Sequence, residues 1–295
     1  MARLAFLGTP EMAVPALRAL CDAGHEIAVC VTRPDKRRGR GGAVTPSPVK
    51  EAALRLGIDV SHSMDDVAAA GVELAVVVAY GRVIPAALLA RVPMVNLHFS
   101  LLPRWRGAAP VERALLAGDR ETGVCLMKLA EGLDTGPVYG RVVVPIGDDT
   151  YLPALRDELV AAGCSLLVSS LAHGTAGLPV PEPQEGVPTI APKVTPEDLH
   201  LHWAHDTAQL YRMVRLGRAW TTIGGKRLGV LKARPVPDPP PAAAGPPGTL
   251  VGTMVCTGDG ALELEQVQPE SRAPMPAADW ARGARLLAGA RLGND

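Results

Sequence analysis

A chain of 295 residues that is 47% hydrophobic, 3% aromatic and formally neutral has room for two domains of roughly 150 residues, each with a core of small aliphatic side chains. Neutrality excludes a bulk attraction to nucleic acid or membranes, so any charge argument must be local. The five cysteines form no C-x-x-C pair and favour buried reduced thiols over disulfides or a zinc site. The apolar runs are too short for a signal peptide or a membrane span, and we expect a cytoplasmic protein.

The first half of the chain predicts strands that alternate with helices. Buried strands are indicated at 3–8, 26–32, 72–81, 94–100 and 140–146, and helices at 11–24, 49–57, 85–92 and 152–171. This alternation predicts an α/β fold with a doubly wound, mostly parallel, Rossmann-like sheet. In such a sheet ligands bind beyond the carboxyl ends of the strands, where "AYG" (79–81) and "NLH" (96–98) lie.

The second half changes character at a stretch rich in proline, "GLPVPEPQEGVPTIAPKVTPEDL", which is typical of a linker. We predict a first domain over 1–189, a linker over 190–205 and a second domain over 206–295. Beyond a helix at 207–216, short β-like runs alternate with glycine-rich turns and predict a small C-terminal β-barrel, similar to an OB-fold. The proline-rich loop 234–248 is expected not to pair within a sheet, and we assign it no function.

Several common catalytic motifs do not occur in this sequence. The first strand–turn–helix segment, "GTPEMA", lacks the glycines of G-x-G-x-x-G, which argues against dinucleotide binding. No P-loop, G-x-S-x-G elbow or H-E-x-x-H is present, which removes the usual NTPase, esterase and zinc-protease interpretations. His200, His202 and His205 lie close together, but their spacing fits no established metal site, and we predict none.

Two polar residues interrupt the apolar strand "MVNLHFS". Residues two apart in a strand point the same way, so Asn96 and His98 share one face while Leu97 and Phe99 point to the other. An Asn amide can donate to an oxyanion and a His can move a proton near neutral pH, which together suit attack of an amine on an acyl carbon. The glycine-punctuated segment "EGLDTGPVYG" supplies Asp134, whose carboxylate could hold the imidazole tautomer or favour the protonated ring. The residues alone leave open that the Asn and His merely end a strand.

The stretches "NLHFSLLPRWRGAAP" and "EGLDTG" resemble the signature of the folate-dependent formyltransferases. The resemblance implies that Asn96, His98 and Asp134 are catalytic, and that 10-formyltetrahydrofolate is the formyl donor without any metal. Folate binding is then expected at Ser100, Leu101, Leu102, Pro103, Tyr80 and Gly81. Phe99 departs from many relatives, which carry a small residue or proline there, and its side chain is expected to face away from the catalytic residues.

Features outside this signature indicate the acceptor. The opening "FLGTPEMAVPAL", the loop "TRPDKRRGRGGAVTPSPVK" and "GDGALELEQVQPE" resemble the family members that formylate methionyl initiator tRNA for translation initiation. The resemblance covers nearly the whole chain and implies a catalytic domain over 1–189, a tRNA-binding domain over 206–295 and a monomer. The alternative is a folate-dependent amino-sugar N-formyltransferase, which would need a pocket for a nucleotide sugar rather than a basic loop. A non-catalytic tRNA-binding protein is disfavoured because the catalytic triad of Asn96, His98 and Asp134 is intact.

Positive charge is concentrated in the loop 32–50, where glycines would let the backbone approach a phosphate chain. In the family the corresponding loop enters the acceptor stem of the tRNA. The expected tRNA contacts are Arg37, Arg38, Arg40, Lys193, Arg215, Lys226 and Arg227. Arg104 and Arg106 could meet the terminal nucleotides or the folate glutamate tail, or pair with a nearby carboxylate.

The mechanism that we expect is direct transfer. The α-amino group of methionyl-tRNA attacks the formyl carbon, and Asn96 and His98 stabilise the oxyanion. Asp134 sets the protonation of the His98 imidazole and helps move the amine proton, so that tetrahydrofolate leaves with N-formylmethionyl-tRNA.

Overall fold

The structure is a computed structural model that describes residues 1–38, 43–236, 239, 245–285 and 289–293. Packing divides the chain into two compact units. The first comprises Met1–Val111, Glu121–Pro145 and Leu155–Pro192, and the second comprises Glu112–Arg120, Ile146–Ala154 and Lys193–Asp295. The functional boundaries placed at 189 and 205 from the sequence stay a prediction, because packing and function need not divide a chain alike.

The helices and strands through residue 192 include every element that the sequence indicates, together with others that it did not, among them a helix at 110–117 and a strand at 121–128. The strands are β1 (Arg3–Gly8), β2 (Glu26–Val31), β3 (Lys36–Arg38), β4 (Ala43–Thr45), β5 (Val60–Ser61), β6 (Leu74–Val78), β7 (Met94–His98), β8 (Arg106–Gly107), β9 (Glu121–Lys128), β10 (Val138–Pro145) and β11 (Ile190–Ala191). The helices are α1 (Val14–Asp22), α2 (Pro48–Arg55), α3 (Asp65–Ala69), α4 (Ala86–Leu89), α5 (Pro110–Ala117) and α6 (Leu152–Ser170).

Seven of these strands form one sheet in the order β10-β9-β7-β6-β1-β2-β5. The strands from β7 to β5 in that order are parallel, whereas β9 runs antiparallel to both of its neighbours, β7 and the edge strand β10. The central strand β6, "LAVVV", is buried along its whole length, as a parallel strand covered on both faces should be. The order extends from β1 in both directions, and the predicted doubly wound, mostly parallel sheet is confirmed.

Two predicted elements of the first unit differ from those observed. Strand β6 ends at Val78 rather than Gly81, because Ala79 (φ 47°) and Gly81 (φ 75°) adopt left-handed conformations that turn the backbone out of the sheet. The loop 32–50 contains an antiparallel hairpin, in which Lys36 pairs with Thr45 and Arg38 with Ala43. Residues 39–42 lie outside the described part of the chain.

The second unit is built on an antiparallel sheet. Its strands are β12 (Ala219–Ile223), β13 (Lys226–Val236), β14 (Leu250–Val251), β15 (Met254–Cys256), β16 (Ala261–Pro269) and β17 (Met275–Pro276), and its helices include α7 (Thr207–Val214) and α8 (Ala277–Ala284). The strand order is β12-β13-β16-β15-β14, with β17 beside β16. Its core contains the apolar faces of both helices, including Leu210 and Trp280. The predicted β-rich second domain is confirmed as an antiparallel-sheet domain.

The start of the proline-rich loop 234–248 does pair within this sheet, which corrects the sequence-based expectation. Strand β13 continues to Val236, and Pro235 lies opposite Leu262 of β16. The pairing of β13 with β12 stops at Val230, so Pro235 has a strand neighbour on one side among the described residues. A proline is tolerated at such a position because its missing N–H does not face a second strand.

All five cysteines carry free thiols. Burial raises the pKa of Cys30 to about 12 and also raises the pKa of Cys125, so both thiols are neutral core groups. In the part of the chain that the structure describes, we find no helix both long and apolar enough to cross a membrane.

Candidate active site

Strand β7 presents its polar and apolar residues on opposite faces. Asn96 and His98 lie two residues apart and share one face of the pleat. The other face packs against α6, where a Cβ placed on Gly163 would lie 3.7 Å from carbon atoms of both Leu97 and Phe99. The side chain of Phe99 therefore faces away from Asn96 and His98.

A backbone carbonyl fixes the tautomer of His98. His98 is buried, with 5% of the residue exposed. Its imidazole Nε2 lies 2.9 Å from the carbonyl oxygen of Trp105. Because a carbonyl only accepts hydrogen bonds, Nε2 carries a proton and Nδ1 is the nitrogen left for proton transfer. Trp105 has a left-handed backbone (φ 66°), and its N–H donates to Oγ1 of Thr189 at 2.8 Å.

Asp134 faces the free nitrogen of this ring. Its Oδ2 lies 3.7 Å from Nδ1 of His98, and the carboxylate side chain is 12% exposed. The same oxygen accepts a hydrogen bond from the Gly107 N–H at 2.8 Å. Gly107 has a φ of 127°, and a Cβ there would lie 2.8 Å from the Ala191 carbonyl oxygen, so this position requires glycine. The structure thus brings together Asp134 and His98, which are 36 residues apart in the chain.

The Asn96 amide completes the constellation. Its side chain is partly exposed, and among the described residues it has no hydrogen-bond partner. An amide that is held on a rigid strand beside a proton-transfer pair, and is not engaged by the protein, can donate to an oxygen on a bound substrate.

The segment after β7 is only partly available to a ligand. Ser100 is fully buried and donates its hydroxyl proton to the Arg104 carbonyl at 2.7 Å, while Leu102 packs in a core cluster with Met127. Leu101 and Pro103 keep partly exposed side chains. Ser100 and Leu102 therefore hold the segment in place, and Leu101 and Pro103 offer its accessible surface.

Tyr80 and Gly81, where folate binding is expected, follow the buried strand β6. Tyr80 is 2% exposed, its carbonyl accepts a hydrogen bond from Oγ1 of Thr9 at 3.1 Å, and its hydroxyl is buried without a partner among the described residues. Since Ala79 and Gly81 on either side are left-handed, the backbone of this segment leaves the sheet at the carboxyl end of the parallel strands.

The predicted tRNA contacts fall in two places. Arg37 and Arg38 belong to β3, and the structure describes only the backbone of these two residues; Arg40 lies outside the described residues. In the second unit Lys193, Lys226 and Arg227 are exposed. The Arg227 guanidinium lies 4.4 Å from the ring centroid of Trp220, which in turn stacks on His200 at 4.1 Å. In the described part of the chain we find no group of three or more His, Cys, Asp or Glu residues that could hold a metal ion.

Arg215 does not present its charge to solvent. The residue is 5% exposed, and its guanidinium Nη1 donates to the carbonyl oxygens of Gly147 and Asp148, each at 3.0 Å. Burial lowers the pKa of this guanidinium. Because the side chain is committed to the 147–150 loop of its own unit, we leave Arg215 out of the proposed RNA contacts.

We expect Arg215→Met to lower the free energy of unfolding by about 2–4 kcal/mol, because it removes the charged hydrogen bonds by which this buried side chain holds the 147–150 loop. Urea unfolding would measure the loss, with Arg218→Met as the control. Arg218 is an exposed arginine, and its ion pair with Glu112 is long, with 4.0 Å between Nη2 and Oε1. Wild-type stability of Arg215→Met together with weakened tRNA binding would return Arg215 to the RNA-contacting set.

Sequence reasoning missed the groups that hold this site. The Trp105 carbonyl belongs to the backbone, and every residue type has a backbone carbonyl, so the sequence does not indicate which one contacts His98. The segment 182–191, expected to be linker or its margin, lies within the first unit and packs against the site, with β11 pairing with β8 and Glu182 pairing with Val138. The one available signal was Gly107, a glycine directly after the arginines of "RWRG".

Comparison with known proteins shows which family the chain belongs to. The family model for formyl transferases matches residues 2–171, and the model for the formyl transferase C-terminal domain matches residues 193–285. The chain is 44% identical to a methionyl-tRNA formyltransferase from Cutibacterium acnes, over 98% of this chain and 99% of the relative.

Solved structures share the fold at low identity. A methionyl-tRNA formyltransferase from Clostridium thermocellum has a TM-score of 0.55 and 17% identity, over 79% of this chain and 93% of the other. An N-formyltransferase from Helicobacter canadensis, in complex with folinic acid and dTDP-3-aminofucose, has a TM-score of 0.67 and 14% identity, over 91% of this chain and all of the other. The full-length identity to curated relatives and the two matching domain models together place the chain in the formyltransferase family, among its methionyl-tRNA formyltransferases.

Proposed function

We propose that this enzyme transfers the formyl group of 10-formyltetrahydrofolate to the α-amino group of methionyl initiator tRNA, which gives N-formylmethionyl-tRNA for translation initiation. The observation that carries the proposal is the pairing of His98 Nδ1 with Asp134 Oδ2 at 3.7 Å, on the strand face that also bears Asn96. This pairing occurs in a chain that is 44% identical to a methionyl-tRNA formyltransferase over nearly its whole length.

The residues around the triad fit a folate donor. The Asn96 amide has no protein partner among the described residues, and Leu101 and Pro103 offer apolar surface just past β7. Tyr80 and Gly81 would line the pterin end through backbone groups, since the Tyr80 ring itself is core. When it is bound, the donor supplies an activated formyl carbon with a nitrogen leaving group.

The triad would then divide the work between charge and proton transfer. As the methionyl amine adds to the formyl carbon, the Asn96 amide donates to the carbonyl oxygen, where negative charge develops. His98 accepts the amine proton on Nδ1, because its Nε2 proton is held by the Trp105 carbonyl. For the same reason His98 does not donate to the oxyanion, which changes the role expected for it from the sequence. Asp134 stabilises the imidazolium that forms, and the proton passes to the folate nitrogen as its bond to carbon breaks.

The tRNA would be held by cationic side chains on both units. We assign this role to Arg37, Arg38 and Arg40 of the loop 32–50 and to Lys193, Lys226 and Arg227. Each would contact phosphate oxygens, so binding should weaken as salt rises. A chain with no net charge can bind RNA in this way because the contacts are local.

Replacing Arg38 and Arg40 by alanine is expected to lower kcat/KM for initiator methionyl-tRNA by about tenfold or more and to leave saturated turnover unchanged. The slope of log affinity against log salt should fall by about one for each lost phosphate contact. Arg18→Ala is a matched control, since Arg18 is exposed on α1, outside the loop 32–50. An unchanged salt slope in the double variant would remove the hairpin from the tRNA site.

The amino-sugar alternative is tested with three acceptors. We expect formylation of methionyl initiator tRNA and little of methionyl elongator tRNA or dTDP-3-aminofucose, with 10-formyltetrahydrofolate as donor in each case. Formylation of the amino sugar alone would keep the triad chemistry and reject tRNA as the acceptor.

We also propose that the enzyme acts as a monomer in the cytoplasm. Its five free thiols suit a reducing compartment. Light scattering coupled to size exclusion should give the mass of one chain; a dimer mass would overturn the monomer.

A further inference from the structure

We infer that Gln184 is a positioning residue of the formyl-transfer site, which keeps Asp134 against His98; the inference rests on the proposed function. Its side-chain Nε2 donates to the carbonyl oxygens of Asp134 and Gly136, both at 2.8 Å. Its Oε1 accepts from Nε and Nη2 of Arg106, at 3.0 and 2.7 Å. One amide therefore joins the Asp134 loop to strand β8.

The Asp134 loop needs such a restraint. Asp134 has a φ of 49°, a left-handed conformation that residues other than glycine adopt only at a free-energy cost. Gly136, two residues on, lies so close to the Lys128 carbonyl that no Cβ would fit. The loop is thus pressed against β9 on one side, and the Gln184 amide satisfies two of its carbonyl groups on the other.

The two segments that Gln184 connects, the Asp134 loop and strand β8, are the two that position the Asp134 carboxylate. Gly107 follows Arg106 in β8, and its N–H holds Oδ2 of Asp134 at 2.8 Å. If the loop moved relative to β8, this hydrogen bond and the 3.7 Å approach to His98 Nδ1 would both change. Gln184 therefore acts on catalysis through Asp134 and does not itself contact the reacting atoms.

Only an amide meets both demands at this position. The two carbonyl groups require N–H donors, and the Arg106 guanidinium requires an acceptor. In Gln184→Glu a carboxylate oxygen would face two carbonyl oxygens while the contact with Arg106 remains. In Gln184→Met the shape is kept and all four hydrogen bonds are lost.

The test is single-turnover formyl transfer to methionyl initiator tRNA by the full chain. We expect both Gln184 variants to react about 10–100-fold more slowly, with KM for the tRNA within about threefold of wild type, as for other residues that orient a catalytic group. Glu185→Gln is the matched control, because Glu185 is the exposed neighbour in the same segment, and it should react at the wild-type rate.

A double-mutant cycle with Asp134→Asn separates positioning from general support of the fold. In the Asp134→Asn background, adding Gln184→Met should slow the reaction by less than about threefold, because the carboxylate that Gln184 positions is already absent. Fully additive losses, or wild-type rates in both Gln184 variants, would overturn the inference. Failure of the wild type to formylate methionyl-tRNA would overturn the proposed function as well, and the wild-type reaction is measured first for that reason. Should Gln184→Met not fold, Gln184→Glu, which keeps its contact with Arg106, completes the same cycle.

Discussion

Asp134→Asn is expected to lower the single-turnover rate of formyl transfer by about 10²–10⁴-fold while tRNA affinity stays within about threefold of wild type. The Asn oxygen can still accept the Gly107 hydrogen bond that the carboxylate accepts at 2.8 Å, so the loop should keep its place. What is lost is the negative charge that faces His98 Nδ1 at 3.7 Å and stabilises the imidazolium formed during transfer. Quenched-flow transfer and an equilibrium tRNA-binding assay measure the two quantities.

The matched control for this variant is Asp22→Asn, which changes an exposed acidic residue at the end of α1, outside the site. Rates close to wild type in the control and a large loss at Asp134 would assign the effect to the site. If Asp134→Asn instead weakened tRNA binding and slowed transfer to the same degree, Asp134 would be a tRNA contact and not part of the proton-transfer pair.

Asn96→Ala is expected to lower the saturated rate by about 10²–10³-fold, the usual effect of removing one donor to a developing oxyanion. The cost should appear in kcat and kcat/KM alike, because the proposed hydrogen bond strengthens only as charge develops on the oxygen. The fold should be little affected, since the Asn96 amide has no hydrogen-bond partner among the described residues.

Steady-state kinetics with both substrates varied distinguishes an oxyanion donor from a residue that only binds the substrate in its ground state. A rise in KM for the folate at unchanged kcat would make Asn96 a ground-state binding residue. A kcat within about threefold of wild type would leave His98 and Asp134 without an oxyanion donor and would contradict the proposed division of work.

Local patterns predicted the parts of the site that depend on period and chain order. The alternation in "MVNLHFS" indicated that Asn96 and His98 share a face, and the opposite face packs on α6 as expected. The alternating strands and helices indicated a parallel sheet, which places residue 98 at the carboxyl end of a strand. The association of Asp134 with this strand came from family resemblance, because no periodicity connects residues 36 positions apart.

The parts that were missed depend on backbone geometry and long-range packing. The tautomer of His98 is fixed by a carbonyl, and every residue has one. Gln184 lies in a proline-rich stretch whose composition is typical of a linker, and its contacts with the 134–136 loop form only in the folded chain. Arg215 looked like part of a cationic track, but its burial against the carbonyl groups of 147 and 148 depends on tertiary packing that charge spacing does not show.

The most direct test of the whole account is single-turnover formyl transfer from 10-formyltetrahydrofolate to charged initiator tRNA, with charged elongator methionyl-tRNA as the comparison. We predict rapid formylation of the initiator and slow or undetectable formylation of the elongator. Equal rates on the two tRNAs would contradict selective recognition by the cationic contacts, and no transfer to either would contradict the proposed acceptor.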